Sequence, residues 1–153
     1  MWDAQFLPFR DNAFDSALCI AVLEHLEAPE RGIKEVNRVL KNAGYSIFQV
    51  PVLNMPFPIL VPLFRRIIGV RCDKCDHKHV FSTKILINLL NKNNFEVVKI
   101  FHGGFTTIFM RIGRLRRTLE SLDVYIAALC KKISLLRFFA SHVWIIAKKR
   151  SPR

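Results

Sequence analysis

The chain has 153 residues, 51% apolar and 24% charged, with six glycines and seven prolines. That much apolar surface excludes a disordered or collagen-like chain, and four cysteines are too few to staple a fold without a core. The net charge of +12 is unevenly placed: residues 1–50 carry −2 and residues 51–153 carry +14. The basic half suits an anionic partner such as a lipid surface, nucleic acid or acidic substrate, unless its cations only solvate helix faces. No run of eighteen apolar residues occurs, and Met1-Trp2-Asp3 lacks the pattern of a signal peptide. The expectation is a single cytoplasmic domain, with peripheral contact to an anionic membrane as an option for the basic half.

Residues 3–15 read as a loop, with turn residues at Leu7-Pro8-Phe9 and Arg10-Asp11-Asn12. Ser16 to Val22 is a short apolar run without alternation, the pattern of a strand buried on both faces of a parallel sheet. Pro29 suits a first helical position. Ile33, Val36, Asn37 and Leu40 then share a face, and Gly44 is expected to end the helix in the left-handed conformation. Tyr45 to Val50 is the next strand, stopped by Pro51. Ser82 is a plausible N-cap for a helix with Ile85, Leu86, Leu89 and Leu90 inward, ended by Asn93-Asn94.

Phe95 to Phe101 and His142 to Ala147 complete the strands. Between them, residues 106–139 predict two basic amphipathic helices, with Ile108, Ile112, Leu115 and Leu119 on one stripe and Leu122, Ile126, Leu129, Ile133 and Leu136 on the other. Strands alternating with helices make an α/β sheet.

Residues 52–81 combine a proline-rich stretch with Cys72-x2-Cys75-x-His77-x-His79. Two thiolates and two imidazoles are a zinc donor set, but four ligands from one short loop turn inward poorly, and the competing reading is a substrate-side or plain surface loop. Cys19 and Cys130 sit in apolar settings and read as inert core. Asp15 and Arg38 read as structural, and Leu7, Phe9, Phe14 and Leu26 as packing. Residues 106–153 carry a net +9, and with Phe57 to Phe64 they suit a lid or an anionic membrane surface. Aromatic interleaving is poor there, which makes nucleic acid an unlikely partner.

Asp3-Ala4-Gln5-Phe6-Leu7-Pro8-Phe9, Asp11-Asn12-Ala13-Phe14-Asp15, Val22-Leu23-Glu24-His25-Leu26 and Glu35-Val36-Asn37-Arg38-Val39-Leu40-Lys41 resemble, in order and spacing, the class I S-adenosylmethionine-dependent methyltransferases of the type 11 branch. The likeness is dense over residues 3–51 and thin through His79-Val80-Phe81-Ser82 and Asn94-Phe95-Glu96-Val97-Val98. It implies a partial Rossmann-like sheet of strands four to seven, ordered 4-5-7-6 with the last antiparallel. Helices would lie on both faces, and residues 106–139 would be an added helical pair. Residues 1–51 would form the cofactor-side half of a truncated domain.

The implied activity is methyl transfer from S-adenosyl-L-methionine to a small or lipid-like acceptor. Asp3 and Ala4 would meet the adenine, and Ile20 and Ala21 the methionine portion. His25, after the strand's carboxyl end, is the candidate catalytic residue, its alternative being a local backbone contact. His77 and His79 would lie on the substrate side. The family's glycine-rich first strand–turn–helix has no counterpart in these 153 residues, where the only adjacent glycines are Gly103-Gly104. The expectation is therefore weak cofactor binding by this chain alone, and an open edge at the first strand available for self-association. The alternative is a non-catalytic remnant serving as a membrane-surface or partner-binding module.

Overall fold

A computed structural model describes residues 3–52, 78, 79, 81–103, 125, 140 and 142–151. The elements are β1 (Phe14–Ile20), a 3₁₀ turn (Leu23–His25), α1 (Pro29–Val39), β2 (Leu40–Pro51), α2 (Thr83–Lys92), β3 (Phe95–Gly103) and β4 (His142–Lys149). They form a four-stranded sheet ordered β1-β2-β4-β3. β1 and β2 are parallel, and β4 runs antiparallel to both its neighbours. This is the 4-5-7-6 order with a reversed last strand that the sequence resemblance implied. The expected helical pair at 106–139 lies outside the described residues, except Tyr125, which is helical.

Each element follows from its local chemistry. Pro29 takes a first-turn position of α1, where its missing N–H costs nothing. Ile33, Val36 and Val39 recur at helical spacing and are buried. Ser82 caps α2 by accepting from the Ile85 N–H at 3.3 Å. Asn94 ends that helix with φ of 62°, as an asparagine can at little cost. Within α2, Leu86 and Leu90 are buried, but Ile85 is exposed rather than inward. It occupies the first turn, whose outer side nothing among the described residues covers.

The core gathers alternate residues from every strand: Cys19, Phe48, Val50, Phe95, Val143, Ile145 and Ala147, under Ile33, Val36, Leu86 and Leu90. Both described helices therefore cover the same sheet face. Phe48 and Phe95 meet edge to face at 5.4 Å, tying β2 to β3 across β4. On the opposite face Leu18 is 69% and Ile20 44% exposed, with Tyr45 and Trp144 also open. β1 thus begins and ends two residues earlier than its apolar run suggested. It is an edge strand among the described residues, bonded to β2 alone.

The expected terminator of α1 is corrected by the backbone. Leu40 is already extended, and the left-handed residue is Ala43, with φ of 60°, while Gly44 stays outside that region. Gly44 is required for space instead: a Cβ there would stand 2.9 Å from the carbonyl oxygens of both Asp15 and Lys41. The five-residue step from Leu40 to Tyr45 opposes only Phe14 to Ser16 in β1, so the chain must fold tightly at this point.

Ala43→Gly is accordingly expected to raise unfolding free energy by about 1 kcal/mol, by relieving a left-handed Cβ. Gly44→Ala should lower it by about 1–3 kcal/mol through overpacking. Urea denaturation of the two variants checks both signs.

Candidate functional site

The loop before β1 is held to α1 along its whole length. Arg38 donates from Nε and Nη2 to the two carboxylate oxygens of Glu35, at 2.8 and 2.7 Å. It also donates to the carbonyl oxygens of Phe9 at 2.7 Å and Leu7 at 2.9 Å, and to Asp11 at 2.7 Å. Glu35 in turn accepts from the Leu7 N–H at 2.8 Å. One guanidinium fork thereby fixes three loop residues, which a lysine's point charge would not do.

Farther along, the Asn12 and Ala13 N–H groups donate to the Arg38 and Val39 carbonyls at 3.0 and 2.8 Å. Lys149 reaches from β4 to Asn12 at 3.1 Å and to the Leu40 carbonyl at 2.7 Å; burial pulls its ammonium below the usual lysine value. Lys41 pairs with Asp15 at 2.8 Å. Asp15 and Arg38 are thus the structural residues that the sequence suggested.

The start of the loop is fixed by Gln5. Its backbone and side-chain amides donate to the Asp3 carboxylate at 2.9–3.2 Å, and its side-chain oxygen accepts from the Ala28 N–H at 3.0 Å. Ala4 lies beside α1, its carbonyl oxygen 3.8 Å from where a Cβ on Gly32 would stand. Because α1 starts at the carboxyl edge of β1, Asp3 and Ala4 are carried to that edge. Asp3 makes a local turn there, and its carboxylate remains exposed with lone pairs to spare.

Ile20 ends β1, and Ala21 adopts a left-handed φ of 51° while its N–H donates to the Gln49 carbonyl at 3.1 Å. A strained non-glycine residue at the end of a strand is the sort of backbone that ligand sites retain. His25 is exposed at the end of the 3₁₀ turn, with its N–H on the Val22 carbonyl at 3.0 Å.

His79 belongs to the same edge. The Lys78 and His79 N–H groups both donate to the Glu24 carbonyl, at 2.8 and 3.2 Å. The Lys78 ammonium pairs with the Glu27 carboxylate, and His79 Nε2 stands 3.3 Å from the Glu27 carbonyl oxygen. Phe81 bridges to Val52 just beyond β2. The 24–27 turn thereby carries His25 and receives His79, two candidates 54 residues apart in the sequence. His77, Cys72 and Cys75 lie outside the described residues, and with them most of the zinc alternative. Among the described residues, no three His, Cys, Asp or Glu side chains gather to hold a metal.

Cys19 is buried, and its thiol is pushed up to about 12, first by burial and then by the charge of Glu24, so it is inert as expected. The roles of Glu24, Gln5 and Gln49 are not written in the sequence. Nothing in their spacing marks them, whereas the three-residue interval of Glu35 and Arg38 is a readable pairing signal.

The Arg38 hydrogen bond holds the Glu35 carboxyl below the usual carboxylate range. Its stabilisation is therefore complete above the unfolded value near 4.5 and lost as pH falls through the folded one. Thermal stability should decline from about pH 5 downward, and Glu35→Gln should flatten that acid limb while lowering stability at pH 7. Arg38→Ala should free the loop, seen as several-fold faster tryptic cleavage after Arg10 with the sheet retained.

Residues 2–48 match the family described as methyltransferase domain. An uncharacterized protein of Methanocaldococcus jannaschii is 28% identical over 99% of this chain and 60% of its own length. A second uncharacterized protein of that organism is 50% identical over 29% of this chain and 19% of its own length. The chain thus spans less than two thirds of either relative.

Among solved structures, a SAM-dependent methyltransferase of Thermotoga maritima superposes with a TM-score of 0.62 at 21% identity, over 96% of this chain and 61% of that one. A SAM-dependent methyltransferase of Methanosarcina mazei gives 0.60 at 21%, over 99% and 66%. The 4+2 cyclase SpnF gives 0.59 at 20%, over 99% and 56%, so the fold alone does not dictate the reaction. Residues 2–48 are thus similar to a methyltransferase domain, and the chain shares the fold of these solved methyltransferases.

Proposed function

We propose that this chain contributes the adenosyl-side wall and the acceptor-side edge of a methyltransferase that uses S-adenosyl-L-methionine. The observation that carries the reading is the fixing of Asp3 and Ala4 at the carboxyl edge of β1, beside the start of α1. That edge is where open α/β sheets hold their ligands. The residues present fit an adenosyl group. The Asp3 carboxylate is an exposed acceptor for an exocyclic amine, and Ile20 and Ala21 end the adjoining strand partly open to solvent.

Bound there, the cofactor would supply an electrophilic methyl group. Asp3 and Ala4 orient the adenine, the backbone at Ile20 and Ala21 lies along the amino-acid portion, and the surrounding apolar side chains exclude water. His25 takes the proton of an acceptor that must lose one, and His79, docked on the same turn, faces the acceptor. The acceptor is a small or lipid-like molecule.

A second reading draws on the open sheet face and the unpaired edge of β1. Leu18, Ile20, Tyr45 and Trp144 would serve a partner-binding role, with self-association through β1 as its simplest form. The basic half adds an anionic membrane surface as an alternative partner. Among the described residues, no helix is long and apolar enough to cross a membrane.

Titration with S-adenosylhomocysteine, followed by NMR, separates the readings. Weak saturable shifts at Asp3, Ile20 and Ala21, reduced by Asp3→Ala without loss of fold, are expected. Shifts that avoid this edge, or none at millimolar ligand, would refute cofactor binding. A mass that rises with protein concentration and reverts to monomer in Leu18→Lys would favour the association reading.

A further inference from the structure

A single side chain joins Asp3 to the start of α1. The Gln5 backbone N–H and side-chain amide both donate to Asp3 Oδ1, at 2.9 and 3.2 Å, and the same amide reaches Oδ2 at 3.1 Å. Its other end, Oε1, accepts from the Ala28 N–H at 3.0 Å, across 23 residues of sequence. Ala28 is the N-cap of α1 and makes no side-chain capping bond, so Gln5 satisfies its N–H from outside the helix. The Phe6 N–H closes the turn on the Asp3 carbonyl at 2.9 Å. A carboxylate offers about four lone-pair positions on its two oxygens. Among the described residues, Asp3 Oδ1 receives two donors and Oδ2 one, so the open position lies on Oδ2 and Gln5 sets where it points. The amide is a neutral donor. Asp3 is therefore oriented with its charge intact, unlike Glu35 under the Arg38 guanidinium.

We propose that Gln5 is a positioning residue for adenine recognition, holding the Asp3 carboxylate so that its open lone pair meets the exocyclic amine of the adenosyl group. The inference rests on the cofactor reading above, in which Asp3 and Ala4 meet the adenine, and it adds the source of selectivity. A held carboxylate accepts from the 6-amino group of adenine and opposes the 6-oxo group of hypoxanthine, whose lone pairs meet its own. A carboxylate free to rotate turns to the neighbouring N1–H of hypoxanthine and discriminates less. Fixing Asp3 in advance also removes its ordering cost from binding. Gln5 touches no reacting atom and takes no part in methyl transfer.

The test titrates the whole chain with S-adenosylhomocysteine and with its deaminated analogue, S-inosylhomocysteine, and follows NMR shifts at Ala4, Ile20 and Ala21. The unaltered chain should bind the adenosyl ligand at least about tenfold tighter than the inosyl one. Gln5→Met and Gln5→Lys both lose the acceptor for Ala28, and of the two only the lysine can still donate to Asp3. Hydrogen exchange at the Ala28 amide should therefore quicken alike in both, without any ligand. Gln5→Met should bind the adenosyl ligand about fivefold more weakly and cut the preference to about threefold or less. Gln5→Lys should hold affinity and preference within about twofold of the unaltered chain.

Equal weakening by the methionine and lysine variants would confine Gln5 to the start of α1 and overturn the inference. Equal affinity of the unaltered chain for the two ligands would overturn it as well. If the unaltered chain binds neither ligand, the cofactor reading falls and the inference with it. If that chain shows the expected preference and Gln5→Met leaves it intact, the reading stands and the inference alone fails.

Discussion

The fork formed by Arg38 on Glu35 is the interaction on which the candidate site depends. A loop that precedes an edge strand has no ladder of its own, so its backbone groups must be satisfied from outside. Arg38 meets the carbonyls of Leu7 and Phe9, and Glu35 meets the Leu7 N–H. The last carbonyls of α1 take the N–H groups of Asn12 and Ala13. The helix is therefore both the cover of the core and the template for the loop. With the loop fixed to α1, Gln5 places Asp3 at the helix start, and the geometry of a parallel β–α–β unit carries that start to the sheet's ligand edge.

The same edge collects the other unusual features. Ala21 holds a left-handed backbone, Glu24 and Gln49 hold buried oxygens without partners, and residues 78–79 strap onto the 24–27 turn. Ala21 and the two partnerless oxygens conflict with local stability, as Ala43 does at the opposite end of β2. The helix-covered face accounts for stability, and the proposed function is placed at the carboxyl edge. The opposite face leaves Leu18 and Ile20 open.

Much of this was legible from the residues. Proline at the start of α1, serine before α2 and asparagine after it mark their helix ends by backbone chemistry that acts locally. The motif order 3–41 also carried the strand order, because sheet topology is shared across the fold to which those motifs belong. Local signals failed where the answer depended on a distant neighbour. Gly44 looked like a helix terminator, but only the approach of the Asp15 carbonyl shows that its role is space, with Ala43 taking the left-handed turn. Ile85 had the spacing of a buried residue and lacks anything to cover it.

The sequence by itself determined the α/β class, the places where the helices begin and the loop on which Asp3 sits, since these follow from periodicity, capping and chain order. Only the tertiary structure decided that Gln5 would bridge Asp3 to Ala28, that His79 would dock beside His25, and that Glu24 would lie buried without a donor. These are meetings of residues up to tens of positions apart, set by how the sheet and α1 pack. A glutamate's burial and pairing depend on the groups folded around it, which no spacing along the chain specifies.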